Sequence, residues 1–222
     1  MIDFHAHVLP GADHGSDGLE TSLRQLELAE EAGVTCLVAT PHFYPQKDDY
    51  AEFLRRRDRT YDLLAQNYHG PVKLRVGAEV HVCVGLEHLS GVEELCVDGS
   101  DAILLELPRR HYPHGLDETF EALRDVGLIP VLAHVDRYDP ELITRLFSAG
   151  LLGQINADAL CRLHHRRIYQ RWIDGGFIRA LGSDIHGTDL GYAEYLRALR
   201  TLGPRAETLE HRMRVLLEDE PE

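Results

Sequence analysis

The chain of 222 residues is 44% apolar and carries 23 basic against 37 acidic side chains, a formal charge of −14; that is enough apolar matter for one large core, and a field that works against nucleic-acid binding. No apolar run approaches the ~20 residues of a membrane span, and Met1-Ile2-Asp3-Phe4-His5 lacks the basic start and apolar stretch of a secretory signal, so no membrane insertion and a cytoplasmic location are expected. The four cysteines, at 36, 83, 96 and 161, form no C-x-x-C pair, which excludes the common thiolate zinc and redox motifs; Cys36 and Cys83 read as buried, reduced thiols.

Taken in order, the chain alternates short apolar runs with amphipathic segments. Run 2–4 ends in His5 and His7. A helical face of Leu19, Leu23, Leu26 and Ala29 follows and stops at Gly33. Run 35–39 ends in Thr40-Pro41-His42, and Tyr50, Phe53, Leu54, Tyr61 and Leu64 mark a second helix. Run 72–78 ends in Glu79; the stretch from 79 to 102 has no clear period. Run 102–107 carries Glu106 near its end, before a helix marked by Leu116, Phe120 and Leu123. Run 129–133 ends in His134, before a helix marked by Leu142 and Leu146. Run 153–155 ends in Asn156, and Leu160, Ile168, Trp172 and Ile173 predict one further helix. Run 178–181 leads to Asp184 and His186, and two closing helices follow. Residues 1–217 read as one domain and 218–222 as an acidic tail.

Strand then helix, repeated about seven times, predicts an α/β fold with a parallel sheet. Active sites of such folds lie outside the carboxyl ends of the strands. Six of the seven run ends here deliver a histidine or carboxylate, and the sixth delivers Asn156. An open sheet would spread those groups along an edge, whereas a barrel converges them on one mouth, so a barrel is expected. His5 and His7, like Asp184 and His186, are i and i+2 on extended backbone and point to one side. Mixed histidine and carboxylate donors suit zinc, manganese or iron. His81, two residues past Glu79, shares its side if the strand continues, and is a candidate to line the pocket. Cys161 and Arg167 have the C-x5-R spacing of thiol phosphatases, but Arg-Leu-His-His-Arg between them contains no glycine to let backbone N–H groups wrap a phosphate. That basic stretch reads as a solvated helical face.

Several segments occur together in order: Met1-Ile2-Asp3-Phe4-His5-Ala6-His7 with Leu9-Pro10-Gly11, Ala39-Thr40-Pro41-His42, Gly77-Ala78-Glu79, Leu105-Glu106-Leu107-Pro108, Ala133-His134 with Arg137-Tyr138, Gln154-Ile155-Asn156-Ala157, and Ser183-Asp184-Ile185-His186. With them the chain resembles the PHP (polymerase and histidinol phosphatase) superfamily, and within it the bacterial tyrosine-protein phosphatases of capsule and exopolysaccharide operons. The resemblance implies a distorted seven-stranded (β/α) barrel with two or three divalent ions. It places His5, His7, Glu79 and Asp184 on the first, Glu79, Glu106 and His134 on the second, and His14, His42 and His186 on the third. Three departures stand out. His14 replaces a usual aspartate, His134-Val135-Asp136-Arg137-Tyr138 replaces His-Pro-Glu-Arg-Tyr, and Gly187-Thr188-Asp189-Leu190-Gly191 lacks the usual arginine.

The implied reaction is metal-assisted hydrolysis of a phosphomonoester, with His134 and Asp184 in the catalytic centre and Arg137 clamping the phosphoryl oxygens. Arg109, Arg110 and His81 are candidate substrate contacts; Asp136, His81 and a metal-bound water are candidate acids for the leaving oxygen, and the sequence does not choose among them. The substrate expected first is a phosphotyrosine protein, such as a bacterial tyrosine-kinase tail, and second a small ester such as histidinol phosphate. A nuclease and a non-catalytic metal-binding regulatory barrel are the remaining alternatives. Homo-oligomerisation is left open.

Overall fold

The computed structural model describes residues 1–109, 112–188 and 192–218. Its strands are β1 (Ile2–Ala6), β2 (Cys36–Ala39), β3 (His42–Phe43), β4 (Lys73–Val76), β5 (Glu79–His81), β6 (Ala102–Glu106), β7 (Ile129–Leu132), β8 (Leu152–Asn156) and β9 (Ile178–Gly182). The helices are α1 (Leu19–Glu31), α2 (Tyr50–Asn67), α3 (Leu116–Asp125), α4 (Pro140–Ser148), α5 (Ala157–Leu160), α6 (Arg166–Asp174), α7 (Ala193–Leu202) and α8 (Arg205–Leu216). Every residue of β1 and of β6 is buried: β6 is apolar on both faces up to Glu106, whereas β1 alternates and buries the polar Asp3 and His5 as well. The helix starts follow local chemistry. Asp49 accepts from Glu52 N at 2.8 Å to open α2, and Asp139 accepts from Glu141 N and Leu142 N ahead of Pro140 to open α4.

All pairings are parallel. The ladders form two sheets, β1-β2-β4 and β3-β5-β6-β7-β8-β9, so the fold is a single α/β layer system with two open parallel sheets rather than one closed ring of seven strands. The difference comes from two breaks. Pro41 has no N–H to give a ladder, and with Thr40 it separates β2 from β3; Gly77-Ala78 separates β4 from β5. Gly77 N donates to Ala39 O at 2.9 Å and Glu79 N to Pro41 O at 3.0 Å across those breaks, so the two sheets run into each other. At the other edge β1 and β9 lie side by side, and just past β9 Asp184 N donates to His5 O at 2.8 Å and His7 N to Ile185 O at 3.2 Å. The strand ends therefore face one mouth.

Two local expectations change. The predicted single helix over 160–173 is two helices, α5 and α6, separated by a turn in which His165 takes φ +61°. Cys161 thus caps α5 while Arg167 belongs to α6, so the two do not share one phosphate-wrapping loop; the thiol faces Ala157 O and Glu194 O, and burial pushes its pKa up. Cys36 is buried as expected, but Cys83 is half-buried and faces a cleft. Of the acidic tail, only Glu218 is among the described residues. No described helix is long and apolar enough to cross a membrane.

Candidate metal centre

The mouth gathers donors from distant parts of the chain. His5 and His7 stand at the end of β1, His42 and Glu79 open β3 and β5, Glu106 closes β6, His134 follows β7, and Asp184 and His186 follow β9. His42 pairs with Glu79 in register, and His81 with Glu106. Two of the strand-end residues, His134 at φ +30° and Asp184 at φ +53°, occupy the left-handed region. For side chains other than glycine that conformation costs energy and is held by surrounding contacts, as at many functional sites.

The orientation of the rings can be worked out from their outer nitrogens. His134 N donates to Gln154 Oε1 at 2.6 Å, which settles that atom as an acceptor. His5 Nδ1, 3.1 Å from the same oxygen, must then carry a proton. His7 Nδ1 does likewise toward Asp13 Oδ2 at 2.7 Å. Both rings, when neutral, turn a bare Nε2 inward, and these two atoms sit 3.1 Å apart. Two lone pairs at that distance repel unless a cation lies between them. The other donors agree. Glu79 Oε2 is 3.5 Å from His5 Nε2 and 3.3 Å from His7 Nε2, and Asp184 Oδ1 is 3.6 Å and 3.3 Å from the same nitrogens. Four ligands ~2.1 Å from a metal at the corners of a tetrahedron are separated by about 3.4 Å. The donor set therefore fits one divalent ion.

Glu79 reaches the remaining donors as well. Its Oε1 lies 2.6 Å from His134 Nε2, and its Oε2 lies 2.8 Å from His42 Nδ1. The Oε2 and Nδ1 atoms are buried without a hydrogen-bond partner, as expected of donors that share a cation. Among the described residues, His42, Glu79 and Glu106 offer atoms within 4.8 Å of one another, and so do His7, His42 and His186. His134 Nε2 is 3.9 Å from Glu106 Oε1. His14 is placed differently from the other predicted ligands. Its ring centroid is 4.9 Å from that of His42 and 4.7 Å from that of His186, at the exposed edge of the cluster and outside these close donor groups.

The electrostatics show a demand for positive charge. Burial alone would raise the pKa of Glu79, but the His5, His134 and His42 rings hold it well below the ordinary carboxylate range. Asp184 is likewise held low by His5, His7 and Arg137 against its burial. Burial would lower the pKa of His7, yet the Asp13, Asp184 and Glu79 carboxylates raise it well above 6.5. His186 is pushed down to about 4 by burial and by the neighbouring His7, so its ring is neutral near pH 7. Buried carboxylates need compensation, and a divalent ion provides it while leaving the imidazoles free to coordinate.

Arg137 ion-pairs with Asp184 Oδ2 and keeps 42% of its side chain exposed. It borders a cleft of about 1200 Å³ whose wall also includes His14, His42, His81, Arg109, Glu106 and His186. Predicted contacts Arg109 and His81 are thus brought to the cluster, Arg109 lying 3.9 Å from Glu106 at the rim. Arg110 and residues 189–191 lie outside the described residues. Asp136 does not line the cleft; burial raises its pKa, and its Oδ1 accepts from Asn156 N at 3.0 Å.

Sequence reasoning passed over Asp13 and Gln154. Asp13 joins three segments, accepting from the His7 ring, from Gly15 N at 2.8 Å and from His42 N at 3.0 Å. Gln154 links His5 and His134 and donates to Asn156 Oδ1 at 2.9 Å; Asn156 in turn donates to Asp184 Oδ2 at 3.0 Å. Groups of this kind orient metal-ligating imidazoles and carboxylates. The available signal was period two: Gln154 is i−2 from Asn156, a polar pair on one side of an otherwise apolar strand.

Comparison with known proteins places this geometry. The tyrosine-protein phosphatase YwqE of Bacillus subtilis is 27% identical over 197 residues, 84% of this chain and 77% of that protein. A putative tyrosine-protein phosphatase CapC of Staphylococcus aureus is 26% identical over 200 residues, again 84% and 77%. Among solved structures, one from a set covering YwqE of Bacillus subtilis and CpsB of Streptococcus pneumoniae, called unique metal-dependent tyrosine phosphatases, matches with a TM-score of 0.84 at 24% identity, over 100% of this chain and 96% of that one. Histidinol phosphate phosphatase of Lactococcus lactis, complexed with zinc, L-histidinol and phosphate, matches with a TM-score of 0.59 at 13% identity, over 94% and 93%. These two structural likenesses establish the fold. The capsular polysaccharide synthesis family CpsB/CapC matches residues 1–218, and the chain belongs to it.

Proposed function

We propose that this chain is a metal-dependent phosphomonoester hydrolase acting on phosphotyrosine in proteins. The observation that carries the reading is the set of four donors, His5, His7, Glu79 and Asp184, at the spacings of a single coordination sphere beside a cleft edged by Arg137 and Arg109. Those four would hold a first ion, Glu79, Glu106 and His134 a second, and His42 and His186 with His14 a third. Manganese, zinc and iron suit this mixture of imidazole and carboxylate. Bound there, such ions neutralise phosphoryl charge and lower the pKa of water. We read the two sheets as one distorted seven-stave barrel in which β2 with β3, and β4 with β5, each make a single interrupted stave.

The protein groups divide the remaining work. Asp184, its backbone held in the left-handed region, joins the donor cluster to Arg137. The guanidinium presents its remaining N–H groups to the cleft, where they bind phosphoryl oxygens and orient the ester. Arg109 adds positive charge at the rim, which an anionic substrate needs when it approaches a protein of charge −14. Asp136 is committed to Asn156 and His81 faces the cleft, which favours His81 over Asp136 as the side chain that protonates the leaving oxygen. The names of YwqE and CpsB, both tyrosine-protein phosphatases, support a phosphotyrosine protein as substrate; the bacterial tyrosine-kinase tail is the specific candidate we carry over from the family resemblance.

The test is hydrolysis of a phosphotyrosine peptide and of histidinol phosphate by manganese-loaded protein, with His134→Ala alongside. Turnover of the peptide that His134→Ala abolishes is the expected result. Equal turnover in the variant, or fewer than two metal ions per chain by elemental analysis, would overturn the reading.

A further inference from the structure

Two of the predicted ligands stand outside any strand. His14 belongs to the connection from β1 to α1, and His186 to the segment past β9. Their ring centroids nonetheless lie 4.7 Å apart. Part of the tie between the two segments is direct: Gly187 N donates to Gly15 O at 2.6 Å, one residue past each histidine. The rest comes from beneath. Gln25, fully buried on α1, donates from Nε2 to Gly187 O at 3.1 Å, to Gly15 O at 3.3 Å and to His7 O at 3.3 Å. Gly15 lies so close on the end of β1 that a Cβ there would be 2.1 Å from His7 Cβ.

The neighbours decide which way the Gln25 amide faces. Three carbonyl oxygens surround Nε2, and turning the amide over would set Oε1 against all of them. Oε1 itself is buried without a hydrogen-bond partner among the described residues. A buried acceptor left unpaired costs stability, and a leucine of similar size would avoid that cost. What the glutamine supplies is its pair of N–H groups, shared among three segments that each carry a candidate ligand. The first donor group is held by other means: the His5 ring by Gln154, the His7 ring by Asp13 and Asp184 by Asn156. His186 Nδ1 lies 2.9 Å from Asp184 O, which fixes that ring to its own segment but not to His14.

We infer that Gln25 is a positioning residue: its amide sets the separation of the His14 and His186 segments, and with it the hold of the His14, His42 and His186 group on an ion. The inference rests on the three-ion reading of the mouth. Its expected effect is about tenfold in the affinity of that one ion, the low end of the range for groups standing behind metal ligands.

Counting ions separates this role from a general contribution to packing. Wild type, Gln25→Leu and Leu26→Ala are loaded with manganese, and the ions left per chain are measured by elemental analysis across a chelator series, with urea denaturation alongside. Leu26 is the buried apolar neighbour on α1, so its truncation loosens the helix without cutting the tie. In Gln25→Leu one ion of three should leave at about tenfold lower chelator concentration, the other two leaving as in the wild type. Leu26→Ala should lose stability and keep the wild-type release profile. Should Gln25→Leu fail to fold, Gln25→Glu, which keeps the shape and has no N–H when ionised, carries the same comparison. A wild-type profile in the Gln25 variant, or the same early loss in Leu26→Ala, would overturn the inference and leave the metal reading standing. A wild type holding two ions would overturn the inference alone, and one holding fewer would remove the phosphatase reading with it.

Discussion

The donor cluster and the cleft beside it are built in different ways. Most of the candidate ligands stand on a strand or within two residues of its end, and several are gripped from behind: His5 by Gln154, His7 by Asp13, Asp184 by Asn156 and Arg137. Much of the cleft wall comes from connecting segments, which supply Tyr44, Val84, Arg109 and Pro113 and leave them half-buried or exposed. Strands give donors the narrow placement that a small cation requires, whereas loops can vary a substrate wall without disturbing the metals. Substitutions in the first region should therefore reduce metal binding and turnover together, and those in the second should change substrate preference alone.

Glu79→Gln tests the contrast most severely. The carboxylate lies against His5, His7, His42 and His134, and the amide keeps its shape while removing its charge. Loss of at least one bound metal and a fall of about 10³-fold in kcat/KM are expected, read by elemental analysis and steady-state kinetics. Full metal content with activity near wild type would show that the cluster is not one coordination system. Asp13→Asn should weaken metal binding by about 10- to 100-fold, measured by competition with a chelator, and excess metal should restore turnover. Unaltered affinity would mean that Gly15 N and His42 N, not the His7 ring, are what Asp13 serves.

Two smaller effects concern the support beneath the donors. A Cβ on Gly182 would lie 2.6 Å from His5 Cβ and 2.7 Å from Gln154 Nε2. Gly182→Ala should therefore cost about 1–3 kcal/mol in urea denaturation and also lower metal occupancy; a stable variant with full metal would show that the His5–Gln154 pair can shift freely. Asp3 is buried beneath the same strand ends, and that burial raises its carboxyl above 3.8 despite bonds from Ser183, Tyr192 and His5. The folded protein thus holds this proton more tightly than the unfolded chain. The resulting stability is complete below the unfolded value and is lost as pH rises through the folded one. Relative to Asp3→Asn, the wild type should lose stability as pH rises across that window. A difference that is flat with pH, or that grows, would mean that the hydrogen bonds outweigh burial.

Much of this was legible in the residues themselves. Apolar runs too short for helices, six of the seven ending in a histidine or carboxylate, pointed to a parallel α/β fold with metal-ligating groups at its carboxyl edge. Those features are local, and backbone propensity and period suffice to read them. Where the strands break was less legible: Pro41 stands just past run 35–39 and Gly77 inside run 72–78, and that pairing resumes beyond each of them in a second sheet shows only in the ladders.

The sequence by itself determined which donors arrive at the mouth, because strand direction carries each run end to the same side. Only the tertiary structure decided how they face. The ring of His5 is oriented by Gln154, 149 residues away, and that amide is oriented in turn by His134 N–H. A proton's position on an imidazole depends on its partner across the fold, and no period in the chain encodes that partner. The same holds for the exposed edge taken by His14, for the turn that splits α5 from α6, and for the cleft wall that sets Tyr44 between the His42 and His81 rings. Each is settled by which segments pack together rather than by what any one segment prefers.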